Sequence, residues 1–220
     1  MTTIAEEVLL LAYSEAEGRQ LIGSSELDAA LGGAILAELA IHDRIDLAGK
    51  QVTVRDTTPL GDEELDAALA RIAGESRERK PEWWVQKFHS TKLRKRLLSR
   101  LAERGVLREE QHKILGIFPS TRYPERDPSI EQGIRERVQS VLSGTDPDER
   151  IAVLVAVLHA AKIDRKAFPD ASGDRIREIT EGEWAGEAVA RTIASINAVI
   201  MVAVMSGAIA GASSAGASGQ

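Results

Sequence analysis

Arg94 is the first residue whose placement demands a chemical reason. At 100° per residue, Leu93, Leu97, Leu98 and Leu101 share one helical arc, and Arg94 falls inside it, between Leu98 and Leu101. A guanidinium there is costly unless it meets a carboxylate or opens on a pocket for an anion. Two readings stand side by side. One is a structural ion pair; the other is a ligand for phosphate, to which the planar fork is suited. Lys92, Lys95, Arg96 and Arg100 lie on the opposite side and read as a solvated face. The second informative stretch is Ile114, Leu115, Gly116, Ile117 and Phe118. It reads either as one arm of a hairpin buried on both faces or as an exposed apolar tip that enters a membrane interface. Beside a basic helix, such a tip supplies the two signals that reversible membrane docking needs. The pair Trp83 and Trp84 reads as a core or helix-start anchor, with an interfacial aromatic anchor as the alternative.

Little else in the chain suggests catalysis. His42, His89, His112 and His159 are isolated, with no second ligand type at metal spacing. His159 sits on a strongly apolar segment, where a satisfied core histidine is expected. With no cysteine, disulfides, thiolate metal sites and cysteine nucleophiles are excluded. Neither a nucleophile elbow, a phosphate-cradling glycine loop nor a zinc-protease helix motif occurs. Glu6 and Glu7 read as acids placed at a helix start by the macrodipole. The expectation is a protein that is not an enzyme and holds neither metal nor cofactor.

The elements that must position these residues are mostly helices. Aromatic residues make up 4% of the chain, so a core has to come from Leu, Ile, Val and Ala, which leans helical. Residues 4–13 form an amphipathic helix behind a Thr3/Glu6 capping box. Leu27, Leu31, Ile35 and Leu39 stripe a second helix, capped by Ser24 or Ser25 and running to about Ile41, in which Gly32 and Gly33 suggest a close neighbour. Residues 44–55 read as a hairpin with a glycine turn, and 62–73 as a helix. A basic helix is expected from about Trp83 to Arg104, ended by Gly105. Helices follow at 129–142, 148–162, 174–179 and 184–210, the second of these nearly all apolar and so central. A small-residue tail at 211–220 is expected to be disordered. The fold class expected is mostly α: one compact helical domain over 1–210, a central bundle ringed by amphipathic helices, with one or two small β-hairpins.

Charge is unevenly spread. Residues 87–113 carry nine basic and three acidic side chains, a local +6 against a chain net of −6. Such asymmetry marks a surface for an anionic partner, or a solvated helix face. The acidic N-terminus lacks the basic start of a signal peptide. The apolar runs at 151–161 and 194–210 fall short of the ~20 residues of a membrane span. The alanine-rich, cysteine-free composition reads as bacterial.

In order along the chain come Glu6-Glu-Val-Leu-Leu-Leu11, then Leu31 to Leu39 with Asp43-Arg-Ile-Asp-Leu47, and Gly61-Asp with Leu65-Asp and Ala68-Leu69. Arg96-Leu, Arg104-Gly-Val-Leu107, residues 130–142, and Arg150 through Leu158-His-Ala-Ala161 to Ala167-Phe168 follow. This ordered set resembles the Golgi phosphoprotein 3 family over roughly residues 4 to 168. The resemblance implies a compact helical domain that binds phosphoinositide headgroups, phosphatidylinositol 4-phosphate among them, and dips an apolar hairpin into the membrane. It places Arg94 at one headgroup arginine of the basic helix. Thr91 stands at the other, Gly32 stands at an earlier arginine of the second helix, and no tryptophan occurs near Gly23. The expected headgroup set is Arg94, Thr91, Lys87 and Gly32. Membrane contact falls to Ile114, Leu115, Ile117, Phe118, Lys92 and Arg96.

The expectation is a cytoplasmic, peripheral membrane protein on the inner membrane face, an adaptor or scaffold that binds anionic phospholipid. Protein tails and self-association are further partners that the resemblance and the apolar hairpin suggest. The rival is a winged-helix protein that binds DNA, since a leucine-rich helix twice runs into a hairpin (37–54 and 101–118). The net charge of −6 and the apolar 114–118 hairpin speak against a nucleic-acid partner.

Overall fold

The structure is a computed structural model that describes residues 2–47, 51–114 and 117–182, with 194, 197, 198, 201 and 202. Its first helix, α1 (Ile4–Leu11), starts as the sequence says it should. Thr3 accepts the Glu6 N–H at 3.3 Å, and the Glu6 carboxylate accepts the Thr3 N–H at 3.0 Å. All eight residues of α1 are buried, the two glutamates included. Helix α2 (Ser24–Ile41) is capped by Gly23 rather than by a serine, and its stripe Leu27, Leu31, Ile35 and Leu39 is buried. Helix α7 (Glu149–Ala160), opened by the Asp148 side chain, is apolar almost all round. That pattern belongs to a helix enclosed by others, and α1, α2 and α7 pack together as the centre.

Around this centre lie α3 (Glu63–Ala73), α4 (Pro81–Phe88), α5 (Thr91–Glu103), α6 (Ser129–Leu142), α8 (Asp164–Ala167) and α9 (Gly173–Glu181). The single basic helix expected from Trp83 to Arg104 is two helices. His89 leaves helical geometry with ψ 103°, and the Ser90 hydroxyl then caps α5 by accepting the Lys92 N–H at 3.2 Å. Pro81, at the first position of α4, needs no amide partner there. Gly105, at φ +76°, ends the α5 segment in the left-handed conformation expected of it.

Two separate antiparallel hairpins complete the described residues. Strands β1 (Ile45–Asp46) and β2 (Thr53–Val54) pair Ile45 with Val54; the expected glycine turn at 48–50 lies outside the described residues. Strands β3 (Glu110–Ile114) and β4 (Phe118–Arg122) pair Glu110 with Arg122 and Ile114 with Phe118. Ile114 therefore ends one strand and Phe118 begins the other, so the stretch is not one arm of a hairpin. Pro119 and the polar residues to Arg122 continue the return strand. Proline tolerates this place because an isolated two-stranded ribbon leaves one edge of each strand unpaired. Most of the helix expected at 184–210, and the tail 211–220, lie outside the described residues.

Candidate functional site

Asp28, on the first turns of α2, is 3% exposed and draws two side chains of α5 toward it. Arg94 Nε lies 3.3 Å from Asp28 Oδ1, and Thr91 donates its hydroxyl to Asp28 Oδ2 at 3.1 Å. Arg94 Nη1 also donates to Gln20 Oε1 at 2.9 Å. Tyr13 and Tyr123 meet edge to face beside this cluster, with ring centroids 6.1 Å apart. Burial pushes the Tyr13 phenol up to about 12, against the pull of the nearby Arg94 charge. The base of the β3–β4 hairpin closes over the same region, where the Tyr123 N–H donates to Gly18 O at 3.0 Å. Arg94 thus has a carboxylate partner in the free protein, and at 8% exposure it is largely withdrawn from solvent.

The other arginines of α5 are also engaged. Arg100 Nε reaches Glu6 Oε1 at 2.8 Å and its Nη1 reaches Asp62 at 2.7 Å; Arg104 joins Glu6 at 3.0 Å. Arg100 is therefore a bridge from α5 to α1 and to the cap of α3, not part of a solvated face. Glu6 and Glu7 stand in the first turn of α1, as expected of helix-start acids, and sit at 0% and 1% exposure. Glu7 meets Arg137 and Arg150, and Arg150 continues to Glu38 at 2.6 Å. Arg96 holds both oxygens of the Glu64 carboxylate of α3 through the Nε and Nη2 of one guanidinium edge. Much of the local +6 is consequently spent on internal carboxylates distant in sequence. Lys87, Lys92 and Lys95 stay exposed with no ion pair among the described residues.

A family model of Golgi phosphoprotein 3 matches residues 4–196. The chain belongs to the Golgi phosphoprotein 3 family. Among curated proteins it is similar to "Vacuolar protein sorting-associated protein 74" of Eremothecium gossypii, 29% identical over 162 residues. The protein of the same name from Schizosaccharomyces pombe is 30% identical over 169 residues. Each alignment covers 64% of this chain, which spans about half the length of these relatives (49% and 48%).

Seen as a Golgi phosphoprotein 3 family member, the chain distributes its expected site residues over three places. Thr91 and Arg94 converge on Asp28. Gly32 lies against α4, where an added Cβ would stand 2.9 Å from the Val85 carbonyl oxygen. Lys87, Lys92 and Arg96 line a cavity of about 480 Å³ between α3, α4 and α5. At the hairpin tip, Ile117 is 76% exposed; Leu115 lies outside the described residues, and Ile114 and Phe118 enter as the paired backbone closing the strands. Trp84 is core, stacked on Phe88 at 5.5 Å, while half-buried Trp83 carries Arg79 and Lys87 over its ring at 4.9 and 5.5 Å. His159 is satisfied by Asp164 at 2.7 Å, but it is half-buried and not the core histidine expected. The residue that sequence reasoning passed over is Asp28. Its signal was available: one helical turn before Gly32, it puts a carboxylate into an apolar face, just as Arg94 puts in a cation.

Among the described residues no helix is long and apolar enough to cross a membrane, and no three His, Asp or Glu side chains are placed to hold a metal ion.

Proposed function

We propose that this protein docks reversibly on anionic membrane surfaces as a peripheral, non-enzymatic adaptor. The observation that carries the reading is the exposed Ile117 at the tip of a hairpin in a Golgi phosphoprotein 3 family member. A large aliphatic side chain that is three-quarters exposed gains about 1.5–3 kcal/mol on entering an apolar phase. The exposed Lys87, Lys92 and Lys95 each add about 1 kcal/mol near an anionic surface. Neither contribution anchors a protein alone, and together they give binding that can be reversed. Arg94 and Thr91 are engaged with Asp28, so a headgroup that reaches Arg94 competes with that carboxylate. The docking reading accordingly rests on the exposed lysines and Ile117. The DNA-binding rival needed Lys92, Arg96 and Arg100 on phosphates, and two of these three are tied to carboxylates.

Co-sedimentation with phosphatidylcholine vesicles, with and without an anionic phospholipid, tests the reading. Wild type is expected to sediment with the anionic vesicles and to be released by salt. Ile117→Asp should weaken binding about tenfold or more without shifting the unfolding midpoint, since the residue is exposed. Equal sedimentation with neutral and anionic vesicles, or no loss in Ile117→Asp, contradicts it.

A further inference from the structure

The cavity between α3, α4 and α5 is separate from the Asp28–Arg94 cluster, and its lining is unlike that of any structural ion pair in the protein. Arg71 of α3, Lys87 of α4 and Lys92 of α5 all border it, and all three are exposed. None forms an ion pair with a described residue. The carboxylate of Glu64 also borders the cavity, but both of its oxygens are occupied by the Nε and Nη2 of Arg96. Three cationic side chains therefore border about 480 Å³ of open space, one of them, Lys87, resting its ammonium over the Trp83 ring, and the lining leaves no unpaired carboxylate to answer them. Ser90, the cap of α5, stands at the same rim. The Lys92 N–H behind it is taken by the Ser90 hydroxyl, and the positive end of a thirteen-residue helix adds to the field. The floor is apolar, from Ile35, Phe88 and Leu93. A size in the range of small-ligand sites, an apolar floor and a cationic rim together describe a pocket for a compact polyanion.

We infer that this cavity is a binding site for a phosphomonoester, held by Arg71, Lys87 and Lys92. A phosphomonoester carries −1.5 to −2 charges near neutral pH and offers three acceptor oxygens, which suits a cavity bordered by three cationic side chains. A phosphodiester with a single charge gains less from the same rim. Lys87 and Lys92 also belong to the proposed docking surface, but recognition of the phosphate group itself needs no membrane. That group can arrive on a lipid such as phosphatidic acid or on a soluble metabolite.

Titration calorimetry of the full chain with glycerol 3-phosphate, and with glycerophosphocholine as the matching diester, tests the pocket without membranes. Saturable binding of the monoester and much weaker binding of the diester are expected. Arg71→Ala and Lys92→Ala should each weaken the monoester about tenfold, the loss of one charge-assisted contact. Both residues are exposed and without ion pairs, so the variants should fold normally by circular dichroism. Lys95→Ala, which removes an equal charge outside the cavity, should leave the affinity unchanged. The assignment is overturned if glycerol 3-phosphate shows no saturable binding, or if Arg71→Ala and Lys92→Ala bind it as wild type does.

Vesicles then separate the sources. A preference for phosphatidic acid over phosphatidylglycerol, lost in the Arg71→Ala/Lys92→Ala double variant, assigns the pocket to a lipid. Saturable glycerol 3-phosphate binding without such a preference assigns it to a soluble ester. Ile117→Asp reports on docking alone: loss of vesicle binding with intact glycerol 3-phosphate binding shows that the two properties stand or fall separately.

Discussion

Removing the Arg94 guanidinium leaves Asp28 at 3% exposure, with only the Thr91 hydroxyl to face it. Orphaning one partner of a buried pair is costly because the remaining charge keeps its desolvation penalty and loses its counterion. Arg94→Ala is therefore expected to lower stability by about 3–5 kcal/mol, read as the shift of a urea midpoint. Replacing both members with leucine should recover most of that loss, since two apolar groups need no partner. An unchanged midpoint in Arg94→Ala would show that the pair contributes nothing, and would return Arg94 to the set of residues free to bind a ligand.

At the scale of elements, the contact between α2 and α4 is decided at Gly32. A Cβ there meets the Val85 carbonyl oxygen at 2.9 Å, and that atom belongs to the backbone of α4, not to a side chain that could turn aside. Helix propensity alone predicts that Gly32→Ala stabilises α2 by about 1 kcal/mol. Overpacking predicts the opposite sign, a loss of about 1–3 kcal/mol as α4 is pushed outward. The second outcome is expected, visible as a lower thermal midpoint. The same contact explains why an arginine, which the resemblance places at this position, has no room here unless α4 moves.

Across the whole molecule, buried carboxylates join elements that are far apart in sequence, and one of them makes stability depend on pH in an unusual direction. Glu131 of α6 is 2% exposed; burial and the facing Glu125 push its carboxyl up to about 9, against the pull of Arg135. Arg135 in turn reaches Glu15, so α6, the segment after the hairpin and the segment after α1 meet at this point. A carboxyl whose folded value is raised holds its proton more tightly in the native state. Its contribution is full below the ordinary carboxylate range and is lost as pH rises through the folded value. Between about pH 5 and pH 9 the wild-type unfolding free energy should fall, by at most about 1.4 kcal/mol per pH unit from this group. Glu131→Gln mimics the protonated form and should flatten that slope while keeping the fold. Denaturation midpoints across the range decide it; parallel slopes for the two proteins would show that Glu131 is ionised throughout.

What the sequence determined by itself was local and periodic. The 3.6-residue apolar repeats located α1, α2, α3, α6 and α7, the Thr3/Glu6 box opened the first, and Gly105 closed the basic segment, because each depends on neighbours a turn away. Its family signature held for the same reason, being an ordered string of such segments. Arg94 could be recognised as misplaced in an apolar arc, yet its partner could not be named, since Asp28 lies sixty-six positions earlier and meets it only when α2 packs on α5. The break at His89 and Ser90 went unseen because a serine cap and a mid-helix serine look alike until the chain turns. Charge misled most. Nine cations within twenty-seven residues read as a surface for an anionic partner or a solvated helix face, but packing set Glu6, Asp28, Asp62 and Glu64 against four of them. Which positive charges remain for an outside ligand is a property of that arrangement: Coulomb pairing acts through space, and only the folded chain fixes the distances.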